Sequence, residues 1–164
     1  MTTVLDVAPE VLVRSILRGV GVYSGWKPAN TSGVTPRIHQ GWLDRGYDEP
    51  EVTITNPEES PVQGGETGYR GIDPAGGSPH QRIDGTVTVV CWSSRERSNV
   101  NARQLTHEMK EEVRRLIQDD YDAPSSSVID RLSYLNGQRR PEDTEEEETL
   151  YRYDVLVGYG YTSS

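Results

Sequence analysis

The stretch Gly85–Trp92 constrains the fold more than any other part of the sequence, because its composition and both its neighbours are well defined. Its residues are mostly β-branched, and they alternate as the side chains of a strand do. A Gly/Pro-rich segment precedes it and a helical pattern follows. We expect Val87, Val89 and Cys91 to pack against helices, while the opposite face, which becomes apolar only towards Trp92, should be half exposed.

Two segments have helical periodicity. In residues 8–20, apolar side chains recur at spacings of three and four, and Asp6 is the expected N-cap. Residues 99–119 carry a longer apolar stripe, with Ser98 or Asn99 as the expected cap. Charged residues of both signs fill the other face of this second helix, where they can pair.

Two strands and a long irregular segment lie between the helices. Arg37–Leu43 and Glu51–Asn56 are predicted strands with a short turn-rich connection, so an antiparallel hairpin is the simplest arrangement. Residues 57–84 are rich in Gly and Pro, and a structureless loop of this length is unusual in a compact domain, so we expect it to be disordered or to be ordered by something outside the domain. The residues within it that are suited to anchoring on a neighbour are Tyr69, Arg70 and Ile72.

The last third of the chain completes the predicted sheet. Residues 127–135 fit a helix or a strand, and we favour a strand because they lie between a proline and the turn dipeptide Asn136-Gly137. Residues 136–148 are expected to form an acidic loop, and Leu150–Tyr159 a final strand. The order predicts one α+β domain over 1–164, with a mainly antiparallel sheet, two helices on one face and a long Gly/Pro-rich loop between strands.

Charge and hydropathy narrow the classes of function. The chain has 17 basic and 26 acidic residues, with a net charge of −9, and six of the acids fall in 142–148. Clustered positive charge for nucleic-acid phosphates is missing, which argues against specific nucleic-acid binding. Arginine greatly outnumbers lysine, which fits either a high-salt environment or a GC-rich genome. No signal-peptide pattern or apolar stretch of about 20 residues occurs, so we expect a soluble protein made inside a cell, with no membrane contact.

The sequence shows no pattern of catalytic or metal-binding residues. His39, His80 and His107 are far apart and lack the spacing of metal ligands. Cys91 lies in the middle of a predicted core strand, where cysteine acts as a small apolar residue instead of a nucleophile. We therefore assign no catalytic residue, no metal ligand and no cofactor site, and expect no cofactor.

Two other features also favour structural interpretations. The glycine pairs at 64–65 and 76–77 lead into a strand, whereas a phosphate-binding loop opens into a helix. The acidic run 142–148 lacks the turn glycine of a calcium loop. It is expected to be a solvated loop, and its negative charge would let DNA pass without sticking.

Two stretches carry a resemblance to a known family. The first is Arg-Ile-His-Gln-Gly-Trp-Leu at 37–43 with Pro-Glu-Val-Thr-Ile-Thr-Asn-Pro-Glu-Glu-Ser-Pro at 50–61. The second is Gly-Tyr-Arg-Gly-Ile-Asp-Pro-Ala-Gly-Gly at 68–77 with Asp-Gly-Thr-Val-Thr-Val-Val-Cys-Trp at 84–92. Together they resemble structural proteins of tailed viruses of haloarchaea, and within that group the tail terminator, or tail completion, proteins. The similarity lies in the general pattern of residues and in the order of the elements, and it includes no diagnostic motif.

The resemblance implies a non-enzymatic virion protein, assembled in the host cytoplasm. It would form a ring, usually a hexamer, that ends the tail tube and joins it to the head–tail connector of the neck, while DNA passes through the lumen without specific binding. Residues 57–84 would be an arm ordered by a neighbouring subunit. The implied subunit-interface residues are Tyr69, Arg70, Ile72 and Trp92, and the implied channel-facing acids are Glu145, Glu146, Glu147 and Glu148.

Two alternatives stay open on sequence grounds. A head-closure or other connector protein of the neck would use the same kind of subunit. A small enzyme or ligand-binding domain is a different class, and it would need convergent polar groups in a pocket.

Overall fold

The computed structural model describes residues 8–61, 81–98, 100–123, 128–143 and 148–163. The described residues form two α-helices, a short 3-10 helix and five strands of one sheet, an α+β fold as the sequence predicts. The elements, in chain order, are α1 (Pro9–Arg18), the 3-10 helix (Pro28–Thr31), β1 (Arg37–Gln40), β2 (Glu51–Pro61), β3 (Gln81–Ser93), α2 (Ala102–Asp119), β4 (Arg131–Asp143) and β5 (Leu150–Ser163).

The sheet has the order β1-β2-β3-β5-β4, and its pairs are antiparallel except for β1 with β2. These two strands run parallel, with Arg37 opposite Glu51, so the predicted antiparallel hairpin is wrong. A parallel pair needs a connection that returns to the starting end of the sheet. Residues 41–50 make this return across the face opposite the helices, and we call them the flap.

Strands extend into segments that composition predicts to be irregular. β2 continues to Pro61 and β3 begins at Gln81, so both ends of the predicted loop 57–84 are paired strand. The ladder tolerates Pro57 because its register shifts between Thr55 and Glu58, where a missing N–H breaks no bond. The predicted arm residues Tyr69, Arg70 and Ile72 lie outside the described residues.

The ambiguous segment 127–135 contributes to a strand, as favoured, but β4 runs on to Asp143. The dipeptide Asn136-Gly137 is therefore not a turn, because pairing with Leu156 and Val155 of β5 holds it extended. A register shift at Leu135 marks a bulge just before it.

The helices begin later than their sequence signals suggest. α1 has Ala8 as its N-cap instead of Asp6, and ends at Gly19 in the left-handed conformation (φ 73°), which leaves Val20 exposed. α2 is capped by Asn101, whose side chain accepts a hydrogen bond from the backbone N–H of Gln104 at 3.1 Å, and not by Ser98 or Asn99. Neither described helix is both long and apolar enough to cross a membrane.

Both helices pack on one face of the sheet, as expected. Val87, Val89 and Cys91 are fully buried there against apolar stripes of α1 and α2. Each buried Val, Leu or Ile of this layer stabilises the fold by about 1.5–3 kcal/mol. The stripe residues are Leu12, Val13, Ile16 and Leu17 of α1 and Leu105, Met109, Val113, Leu116 and Ile117 of α2.

A buried carboxylate ties the 3-10 segment to α2. Glu112 accepts hydrogen bonds from the backbone N–H of Lys27 at 2.7 Å, from Asn30 Nδ2 at 2.9 Å and from Arg115 Nε at 2.6 Å. Burial by itself would raise the pKa of Glu112, but these donors outweigh it and hold the pKa below its usual value.

The opposite face of the sheet is only partly open. The prediction that it is half exposed is wrong for Val90 and Trp92, which form a second small core with Leu150 and Leu43. The flap supplies this cover, which the sequence of β3 alone could not reveal.

Candidate interaction surface

A buried ion pair fastens the flap to the sheet. Glu51 begins β2 with a fully buried side chain, and its carboxylate accepts hydrogen bonds from Arg97 Nη1, His39 Nε2 at 2.6 Å and the backbone N–H of Asp44 at 3.0 Å. Arg97 also donates to the carbonyl oxygen of Glu49 at 3.0 Å. A buried charge is tolerated only with such partners. The flap therefore has a fixed position.

The acidic run ends inside this network. Glu148 Oε1 accepts hydrogen bonds from Ser94 Oγ at 2.6 Å and from Arg97 Nε at 2.7 Å. Burial acts to raise the pKa of Glu148, but the bonds from Ser94 and Arg97 outweigh it and lower the pKa. The carboxylate is thus engaged within its own chain. Its channel-facing role stays a prediction, as does that of Glu145, Glu146 and Glu147, which lie outside the described residues.

The tryptophan chosen from the sequence is an interior residue. Trp92 is 2% exposed, and its Nε1 donates to Thr53 Oγ1 at 3.0 Å. The aromatic side chain at the surface is Trp42 of the flap, which is 53% exposed and packs edge-on against Trp92 with ring centroids 5.2 Å apart. The Arg152 guanidinium carbon lies 5.0 Å from the Trp42 ring centroid. A subunit contact by Trp92 stays a prediction. The tryptophan that is accessible to another molecule at this site is Trp42.

The sequence carried a partial signal for Trp42. It stands in Gly-Trp-Leu at the end of the predicted strand Arg37–Leu43, next to a turn-rich connection, and side chains of connections are usually at the surface. Glu51 and Arg97 had no such signal, because they are 46 residues apart and read as ordinary solvent-facing polar positions.

The half of this sheet face that the flap does not cover forms, among the described residues, a shallow trough of about 350 Å³. The wall is Leu135, an exposed side chain on the β4 bulge that lies over Gly158. Three carboxylates and one arginine line the trough, which gives it a negative balance. The lining groups include Glu58, Asp84, Thr86, Arg131 and Ser133.

Ion pairs stiffen one end of the trough. Arg82 Nη1 lies 2.5 Å from Asp130 Oδ2, and Arg82 Nε lies 3.4 Å from Asp84 Oδ1. Arg131 Nη2 lies 3.1 Å from Asp84 Oδ2 on the same face. The hydrogen bond to Asp130 is the main reason that the pKa of Arg82 is raised.

Two titratable side chains of the described core, Cys91 and Tyr159, are held in their protonated forms by their surroundings. Burial, with a smaller contribution from Asp154, raises the pKa of the Cys91 thiol. Burial and a hydrogen bond to Glu59 Oε1 at 2.7 Å likewise raise the pKa of Tyr159. A protonated, enclosed thiol is a poor nucleophile.

The histidines show no metal site in the part of the chain that the structure describes. His39 is bound to Glu51, and His107 packs against the Tyr153 ring with centroids 6.4 Å apart. Within the same residues, no three His, Cys, Asp or Glu side chains come together as ligands would. His80 and the glycine pairs at 64–65 and 76–77 lie outside the described ranges.

No protein-family model matches the sequence, and no curated protein matches it.

Proposed function

We propose that this chain is a structural virion protein that forms a sixfold ring at the tail–neck junction of a tailed virus. It ends the tail tube and joins the tube to the head connector. Its partners are further copies of itself, the tail tube protein and connector or neck proteins, and DNA passes through the ring without specific binding. The chain does no catalysis in this role.

Four observations support the proposal. The stretches 37–61 and 68–92 resemble tail terminator proteins of haloarchaeal viruses, the α+β fold agrees with the fold that the resemblance implies, and the acidic, lysine-poor composition suits a high-salt host. The observation that carries most weight is the placement of open surface on a rigid sheet. The trough and the outer edge of β4, which pairs on one side only among the described strands, are suited to contacts with other proteins.

The test is to locate the protein in virus particles by electron microscopy, with an epitope tag and antibody labelling. We expect a sixfold ring between tail tube and connector. A label at the portal side of the connector would favour a head-closure protein instead. A protein that stays monomeric and is absent from particles would refute both roles.

A second test replaces residues 64–77 with a Gly/Ser linker of equal length. The matched control keeps the native sequence. We expect the replacement to give tails of abnormal length that fail to join heads, because the specific side chains of the arm are lost while its reach is kept. Normal tails joined to heads would remove the arm from the proposal.

A further inference from the structure

The flap presents Trp42 as a rigid projection. Its ring rests edge-on against the buried Trp92, with Arg152 beside it, and the flap backbone is held by the bond from the Asp44 N–H to Glu51. A side chain that is already fixed loses little conformational freedom on binding. Large exposed aromatic residues of this kind are common anchors of protein interfaces.

The trough is suited to receive one such side chain. Gly158 has no Cβ, and the β4 bulge turns Leu135 into the space above it, so that Leu135 forms an apolar wall of the trough. Bulges often re-aim a side chain in this way. The trough volume of about 350 Å³ lies at the lower end of the roughly 300–1,000 Å³ that is usual for ligand pockets, which leaves room for one large ring.

Trp42 cannot fill the trough of its own chain. Both features lie on the same sheet face, but Trp42 packs at the β3 position that pairs with Arg152, whereas the trough lies where Thr86 pairs with Gly158. Along β5 these points are about 20 Å apart, at roughly 3.3 Å per residue. A contact between this projection and this recess can therefore form only between two molecules.

We propose that Trp42 of one copy inserts into the Leu135–Gly158 trough of the next copy. The net charges agree, because Arg152 and its strand neighbour Arg140 share the single carboxylate of Asp154, which leaves a positive balance beside Trp42. At the trough, three carboxylates face one arginine. The contact joins two different surfaces, so it repeats from copy to copy and closes into a ring when the rotation allows. The inference rests on the proposed ring and specifies its subunit contact.

The first test is chemical cross-linking between two variants, each of which adds one cysteine to the buried Cys91 and leaves Trp42 and Leu135 intact. Asp44→Cys, in the flap, is mixed with a tagged Ser133→Cys chain and treated with a short bis-maleimide. We expect a cross-linked heterodimer from this mixture only. Tyr121→Cys mixed with Ser133→Cys is the matched control, since Tyr121 is also an exposed aromatic residue. Wild type, whose single Cys91 is buried, gives the background.

The second test is the strength of self-association, measured by analytical ultracentrifugation at high salt, where repulsion between chains of net charge −9 is screened. We expect Trp42→Ala to raise the dissociation constant about 30-fold, as loss of an aromatic hot spot does, and Tyr121→Ala to leave it within about twofold. Leu135→Ala should weaken association as well, and the double variant should be little worse than Trp42→Ala, because both changes remove one contact.

The possible outcomes distinguish a failure of the proposed Trp42 contact from a failure of the proposed ring. Rings that persist with unchanged affinity in Trp42→Ala and Leu135→Ala, or equal cross-linking in the Tyr121 control, overturn the proposed contact and leave the ring standing. A wild-type chain that stays monomeric at every salt concentration and is absent from particles overturns the proposed function itself. Leu135 is exposed and outside the core, so its variant reports on association even if Trp42→Ala affects folding.

Discussion

Replacing Arg97 by methionine should be among the most damaging single changes in this protein. The Arg97 side chain is almost fully buried, and it neutralises the buried Glu51 while also binding Glu148 and the carbonyl oxygen of Glu49. Burial opposes its charge, but the bonds to Glu148 and Glu51 outweigh burial and raise the pKa of Arg97. The guanidinium therefore stays charged at all ordinary pH values.

The expected magnitude follows from the charge left behind. Methionine keeps the apolar stem but leaves the Glu51 carboxylate buried with only His39 and the Asp44 N–H as donors. Removing one partner of a buried pair costs about 3–5 kcal/mol. That is a large part of the 5–15 kcal/mol by which a domain of this kind is typically stable. We therefore expect Arg97→Met to lower the free energy of unfolding by about 3–5 kcal/mol.

The assay is urea denaturation followed by tryptophan fluorescence, which reports on Trp42 and Trp92 beside the network. A double-mutant cycle with Glu51→Gln isolates the pair, and we expect the double variant to cost at least about 1 kcal/mol less than the two single losses together. Asp119→Ala, which removes an exposed i,i+4 partner of Arg115, is the control at about 0.3–0.5 kcal/mol. A loss below about 1 kcal/mol in Arg97→Met, or strictly additive losses, would refute the reasoning.

Three further predictions concern the core and its polar ties. The pKa of Glu112 is lowered in the folded state, so the carboxylate contributes its full stabilisation above its unfolded pKa, near 4.5, and this stabilisation is lost as the pH falls through the lower folded pKa. We therefore expect Glu112→Gln to reduce stability at pH 7. The same variant should show a smaller loss of stability with acid in a pH–denaturation profile. Cys91 should resist maleimide at pH 8 in the native protein and react once urea unfolds it, so rapid native labelling would contradict its burial. Gly85→Ala should lower stability by about 1–3 kcal/mol in thermal unfolding, because a Cβ there would meet the Tyr159 ring and lie 2.6 Å from a backbone oxygen of β2; an unchanged melting temperature would contradict this.

Periodicity was a reliable guide to which faces are buried. The α2 stripe from Leu105 to Ile117 and the β3 face of Val87, Val89 and Cys91 lie in the core as predicted. These assignments need only the spacing of side chains along one element, which is fixed by the geometry of a helix or a strand. The α+β class follows from the same local information.

The direction, length and pairing of the strands were less predictable from the sequence than their buried faces. The turn-rich composition of 41–50 shows that the chain reverses or crosses over, but not which, so β1 was assigned the wrong direction relative to β2. Asn136-Gly137 has the composition of a turn, yet β5 supplies partners that hold it in strand. Hydrogen bonds to a neighbouring strand outweigh a local preference worth about 1 kcal/mol.

The candidate surface shows the same division. Sequence directed attention to Trp92 because it lies on the clearest strand, whereas its burial depends on a flap that crosses from β1 to β2. Leu135 has no distinguishing sequence context, and its place over Gly158 depends on a bulge in the register of two strands.

The sequence by itself determined the helices, the strand faces, the unreactive setting of Cys91 and the acidic character of the chain. Tertiary structure alone decided that Glu51 and Arg97 meet in the interior, that Trp42 projects from the flap, and that a trough remains open on the same face. Side-chain spacing is a local property, so sequence fixes it. The burial of a charge or the exposure of a ring depends on groups brought from distant positions, and these are known only once the sheet is assembled.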